Sequence, residues 1–153
     1  MAIKTHTPLV SEILDKVHKA KTKDKKVAIL KENDSETLRM IIKSSFDPKI
    51  IWCLPSGDVP YKPNEIPINT AGHTRLTVES RKLWHFIQGA DARTPQWKKE
   101  QMFVQMLEGL HESEARVVCY AKDKSLHQVY KGLSHAVVKE SFGWNDDYIK
   151  NAT

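Results

Sequence analysis

The sequence predicts an all-α fold, a compact single-domain bundle of about seven short helices with one long proline-rich loop. Three observations predict it. Apolar residues recur at helical spacing in segment after segment, residues that start or stop helices fall between those segments, and no stretch alternates apolar and polar residues as a half-buried strand would. The 153 residues suit one domain, with residues 55–72 as the loop and residues 144–153 as a polar tail.

Taken in order, Thr7-Pro8 offers a hydroxyl cap followed by proline at the first helical position, and Leu9, Val10, Ile13, Leu14 and Val17 then form one apolar stripe that fades near Ala20. After the lysine run from Lys21 to Lys26, Val27-Ala28-Ile29-Leu30 make a second helix. Asn33-Asp34-Ser35-Glu36 carries capping chemistry for a third, whose face is Leu38, Ile41, Ile42 and Phe46. Asp47-Pro48 ends it, because the residue before a proline is pushed out of the helical region. Ile50-Ile51-Trp52-Cys53-Leu54 is an apolar run too short for periodicity to assign. Pro55, Pro60, Pro63 and Pro67, with Gly57 and Gly72, make the following stretch a loop, packed on the surface through Tyr61, Ile66 and Ile68. Helical character returns around Thr77 with Val78, Leu83, Trp84, Phe86 and Ile87, and breaks at Gly89-Ala90-Asp91. Thr94-Pro95 starts the next helix, with Met102, Phe103, Met106, Leu107 and Leu110 as its stripe. Ser113 caps a further helix with Ala115, Val118, Cys119 and Ala121 inward, and Ser134 caps the last, which ends at Phe142 with Gly143 as a left-handed cap.

Composition narrows the function. A mean hydropathy of −0.51 and 28% charged residues describe a soluble chain, and no stretch approaches the run of roughly 20 apolar residues that a membrane span needs. The first residues lack an apolar signal segment, which places the expected protein in the cytoplasm. Cys53 and Cys119 read as separate buried thiols in a reducing compartment. The chain has no phosphate-binding glycine loop, no dinucleotide fingerprint, no zinc-protease helix, no serine-hydrolase elbow and no Lys-x-Asp-Gly adenylation motif. His6, His18, His73, His85, His111, His127 and His135 are scattered without metal-ligand spacing, and His111-Glu112 has no second histidine. No catalytic residue, metal or cofactor is expected.

The net charge of +5 is compatible with a polyanionic partner without requiring one. Placement adds to it. If a helix begins near Thr22, then Lys23, Lys25 and Lys26 gather round its positive dipole end and free N–H groups, which is a seat for a phosphate. Lys131-Gly132-Leu133-Ser134 is a second such start, where glycine permits close approach and Lys122, Lys124 and Lys139 flank it. Two lysine-bearing helix starts could clamp a duplex by its phosphates without reading bases.

The stretch Glu12-Ile13-Leu14-Asp15, then Thr22-Lys23-Asp24-Lys25-Lys26-Val27-Ala28-Ile29-Leu30-Lys31-Glu32-Asn33, then Leu38-Arg39-Met40, resembles the N-terminal helical DNA-binding domain of ATP-dependent DNA ligases, notably the compact T-even-type phage form. Ala115-Arg116-Val117-Val118, Lys131-Gly132-Leu133-Ser134, Val137-Val138 and Phe142-Gly143 parallel that domain's helix pair with its glycine loop, where the family carries arginines and this chain has lysines. Phe46-Asp47-Pro48-Lys49-Ile50, Pro60-Tyr61-Lys62-Pro63-Asn64 and the segment from Phe103 to His111 are similar to small proteins of T-even-like marine phages that have no assigned activity. The resemblance implies a ligase-type DNA-binding domain kept as a free-standing protein.

The expectation is therefore a non-catalytic protein that grips duplex DNA, nicked or intact, through Thr22, Lys23, Lys25, Lys26, Lys122, Lys124, Lys131, Gly132, Ser134 and Lys139. The rival is an adaptor that docks on a phage or host replication or transcription protein through Tyr61, Ile66 and Ile68.

Overall fold

A computed structural model of the chain describes residues 9–47, 50–55, 57, 59–64 and 73–143. Val10, Ile13, Leu14 and Val17 form the buried stripe of α1 (Val10–Lys19), and the preceding Thr7-Pro8 lies outside the described residues. Leu9, not a hydroxyl residue, is the N-cap of α1, and its backbone N–H donates to the Glu12 carboxylate at 2.8 Å. In α2 (Lys23–Glu32) the Thr22 hydroxyl accepts from the Lys25 N–H at 3.3 Å. Ser35 caps α3 (Glu36–Phe46), while Asn33 ends α2, its backbone N–H and its side-chain amide both donating to the Ile29 carbonyl, at 3.1 and 2.8 Å.

Leu76–Glu79 form the single turn α4, which tightens into a 3₁₀ helix over Ser80–Phe86. Here the sequence-based face fails in part, because Val78 and Trp84 are about half exposed, 56% and 49%. Pro95 is itself the N-cap of α5 (Gln96–Gly109). The buried Asp91 carboxylate organises the turn before it, accepting from the Arg93 and Thr94 N–H groups and from His85 Nδ1 at 2.7 Å. The hydrogen bond from His85 holds that carboxyl far below the usual carboxylate range. His111, not Ser113, caps α6 (Glu112–Lys122). A one-turn α7 (Leu126–Val129) fills what reads as a polar break, and α8 (His135–Phe142) runs from the Ser134 cap to Gly143, whose φ is 68°. The tail from Trp144 lies outside the described residues.

Eight α-helices, one 3₁₀ helix and no strand occur among the described residues, so the fold is all-α. Helix α6 is the hub: it packs on α1, α3 and α5 and buries Ala115, Val117, Val118 and Ala121. In its first turn Glu114, 1% exposed, accepts the Val10 N–H at 3.0 Å and the Leu76 N–H at 2.9 Å through its side chain. One carboxylate thus closes the N-termini of both α1 and α4, satisfying donors that a helix start cannot satisfy itself. Burial pushes this carboxyl above its usual value, and the two amides pull it back.

The segment 50–54 is neither helix nor sheet. It hydrogen-bonds the end of the 3₁₀ helix, Cys53 N–H to Phe86 O and Gln88 N–H to Ile51 O, both 2.7 Å. Trp52 and Phe86 meet Phe103 edge-on, with ring centroids 6.3 and 5.2 Å away, so three segments share one aromatic cluster. Cys53 and Cys119 form no disulfide and are only half-buried, short of the full burial that their apolar neighbours predict.

Candidate nucleic-acid interface

Seven of the chain's 24 basic residues fall within residues 16–31, with Asp24 as the only acid there. That segment carries +6, which leaves 17 basic against 18 acidic residues elsewhere. The last turn of α1 supplies Lys16 and Lys19, the connection supplies Lys21, and α2 begins with Lys23, Lys25 and Lys26. Between the two helices lies an open groove of about 520 Å³, lined by Lys16, Lys19 and Lys25 over Ala20, Ala28 and Ile29.

The second lysine-bearing start is beside the first. An added Cβ at Gly132 would lie 2.6 Å from the Val17 carbonyl oxygen and 2.6 Å from Lys26 Cε, so only glycine lets the loop before α8 approach α1 and α2 this closely. The Lys131 N–H donates to His18 Nδ1 at 2.9 Å, and Lys23 reaches Glu140 of α8 at 3.7 Å. Helices α2 and α8 pack together, so Thr22, Lys23, Lys25, Lys26, Lys131, Gly132 and Ser134 belong to one neighbourhood.

Within it the side chains differ in what they are free to do. Lys26 Nζ donates to the Ala20 carbonyl at 2.7 Å and closes the end of α1, and the Thr22 and Ser134 hydroxyls are occupied as helix caps. Lys19 is shared with Asp15 at 2.9 Å. Lys16, Lys21, Lys25 and Lys131 are exposed, and their side chains make no ion pair among the described residues. Lys139 stands in the last turn of α8, one turn beyond its start, or about 6 Å along the axis.

Lys122 and Lys124 are corrections. The Lys122 side chain is fully buried and its Nζ donates to the Pro55 carbonyl at 2.7 Å, the Gly57 carbonyl at 3.1 Å and Asp123 at 2.6 Å. Lys124 Nζ donates to the carbonyls of Ser44 and Asp47, each at 2.7 Å, and to that of Ile50. Burial lowers its pKa. Both ammonium groups are engaged by carbonyls at the end of α3 and in the loop, so neither is available to a ligand.

Sequence reasoning singled out Lys21 only as part of the run, and Lys16 not at all. The signal for Lys16 is its i, i+3 relation to Lys19 on the outer face of an otherwise apolar-striped helix. Of the rival docking residues, Tyr61 is partly buried against the core, and Ile66 and Ile68 lie outside the described residues. Among the described residues no three His, Cys, Asp or Glu side chains gather as a metal ion would require, and no helix is long and apolar enough to cross a membrane.

A family model described as Family of unknown function (DUF6433) matches residues 13–128. The chain belongs to this family. The matched span of this DUF6433 member includes the groove between α1 and α2 and stops before Lys131 and α8, so the family pattern carries one of the two lysine-bearing starts. No curated protein and no solved structure matches the chain.

Proposed function

We propose that this DUF6433 member is a non-catalytic protein that binds duplex DNA, nicked or intact, through its phosphates and largely without sequence preference. Its setting would be the replication or repair of a phage genome in the host cytoplasm. The observation that carries the reading is the close approach at Gly132, which joins the Lys131 loop to Lys26 and to the last turn of α1. A segment of net +6 thereby gains a further cation from a distant part of the chain. Duplex DNA presents a charge about every 1.7 Å of axis, and exposed lysines that make no ion pair among the described residues are suited to displacing its counterions. The resemblance to the ligase DNA-binding domain over residues 9–54 and 98–143 supports the same partner.

The test is anisotropy of a labelled nicked duplex at several salt concentrations. Contacts from Lys16, Lys21, Lys25 and Lys131 correspond to about four phosphates, and hence to a slope of log affinity on log salt of about −3 to −4. The K21E/K25E variant spares Lys26, which has a structural bond, and should bind at least about tenfold more weakly with unchanged helical content. Salt-independent binding, or a variant that binds like the parent, rules the reading out.

A further inference from the structure

A second site lies elsewhere on the molecule, between α3, the segment 50–54 and the 3₁₀ helix. Here a cavity of about 310 Å³ is walled by Met40, Ile50, Trp52, Leu83 and Ile87, with Trp84 among its lining residues. The volume is at the small end of the roughly 300–1,000 Å³ that ligand sites span. Trp84 is 49% exposed although it is a large apolar residue.

The polar groups of the lining decide what could enter. Ser44 donates its hydroxyl to the Ile41 carbonyl at 2.8 Å, and its own carbonyl accepts from Trp52 Nε1 and from Lys124 Nζ. The Ser80 hydroxyl is bonded to Thr37 Oγ1 at 3.1 Å and to the Thr77 carbonyl. With these groups engaged, the walls offer an entering molecule little but hydrocarbon and aromatic surface. A nucleobase or sugar would lose water at its hydrogen-bonding edges and gain few partners, which is unfavourable.

Two lining residues are the exception. Lys43, in the last turn of α3, and Arg81, on the 3₁₀ helix, make no ion pair or hydrogen bond through their side chains among the described residues, and no carboxylate lines the cavity. A half-open apolar cavity that has a lysine and an arginine but no carboxylate among its lining residues is complementary to one kind of ligand. We infer that this cavity binds a small amphiphilic carboxylate, with its hydrocarbon body against Trp52, Leu83 and Trp84 and its charged end between Lys43 and Arg81. Burial of the body supplies the affinity, and the cation pair selects the head group. This site shares no residue with the groove between α1 and α2, and the inference does not rest on DNA binding.

The probe is decanoate below its micelle concentration, followed through backbone amide NMR shifts, with decyltrimethylammonium as the matched cation. Saturable decanoate binding that moves the Leu83, Trp84 and Ile87 amides is expected, with the cation at least about tenfold weaker. The K43E/R81E variant, checked for unchanged helical content, should lose decanoate binding by about tenfold or more. Absence of saturable binding, equal binding of the two amphiphiles, or an unaffected variant overturns the inference. So does a titration in which an acidic peptide such as Asp-Phe-Leu-Asp moves these amides and decanoate does not, since the cavity would then belong to a protein partner.

Discussion

Glu114 shows how much a single side chain can hold. Its two oxygens each take one backbone N–H, from Val10 and from Leu76, inside the core. An amide of the same shape has one acceptor and two donors, so Glu114→Gln would satisfy one helix start and set an N–H against the other. Leaving a buried donor unmatched costs about 1–3 kcal/mol. The expected result is a variant that is folded but destabilised by that amount in urea, with Glu114→Ala lower still; a midpoint equal to the parent's would show that the two bonds contribute nothing. Lys122 and Lys124 are residues of the same kind, and they illustrate a limit of reading sequence. A lysine run announces charge, but whether an ammonium faces solvent depends on carbonyls brought to it by the fold. For Lys122 and Lys124 those carbonyls belong to residues 65 to 80 positions away.

At the scale of the element, α6 depends on a histidine for its cap. His111 Nδ1 accepts the Ser113 N–H at 3.1 Å, which requires that nitrogen to be unprotonated. Burial, and then the neighbouring His73, lower the pKa of His111. A depressed folded-state pKa means that the unfolded chain takes up the proton first as pH falls. The stabilisation is therefore complete above the ordinary value of about 6.5 and is lost as pH drops through the folded value. Asparagine also accepts at an N-cap and does not titrate in this range. Between pH 7 and pH 5 the parent should lose stability relative to His111→Asn in urea titrations, and parallel curves would exclude His111 as the cause. This cap also marks where the elements were legible. The Ser134 cap, the Gly143 stop and the apolar faces of α1, α3 and α5 follow from local chemistry alone, and the structure has them. Where two residues two positions apart could cap, local order does not decide: Asn33 bonds back to Ile29 and leaves the cap of α3 to Ser35, and Ser113 pairs its hydroxyl with that of Ser11 at 2.8 Å and leaves the cap of α6 to His111. A short apolar run does not distinguish a 3₁₀ helix from an α-helix, so the sequence of Ser80–Phe86 predicts only helical character.

For the whole molecule, the uneven charge has an effect independent of any ligand. Lysines concentrated on one segment repel one another in the folded state, and salt screens exposed charges over about 8–10 Å near physiological ionic strength. The thermal midpoint should therefore rise with added sodium chloride in the low-salt range, and K21E/K25E should flatten that rise. A midpoint that falls with salt would mean that the surface ion pairs, such as Arg39–Asp34 and Arg116–Glu112, outweigh the repulsion. The lysine clustering of the candidate interface was legible from residue order, but the meeting of residues 131–134 with α1 and α2 was not, because it rests on Gly132 and a contact more than a hundred residues apart in sequence. The Glu114 bridge gives that separation a further meaning during synthesis. A ribosome delivers α1 before α6, and the acceptor for the first amide of α1 follows 104 residues later. Until α6 emerges, α1 can settle only on α2, and both the rest of its apolar stripe and its first amide stay open to chaperones and proteases while the 104 intervening residues are made.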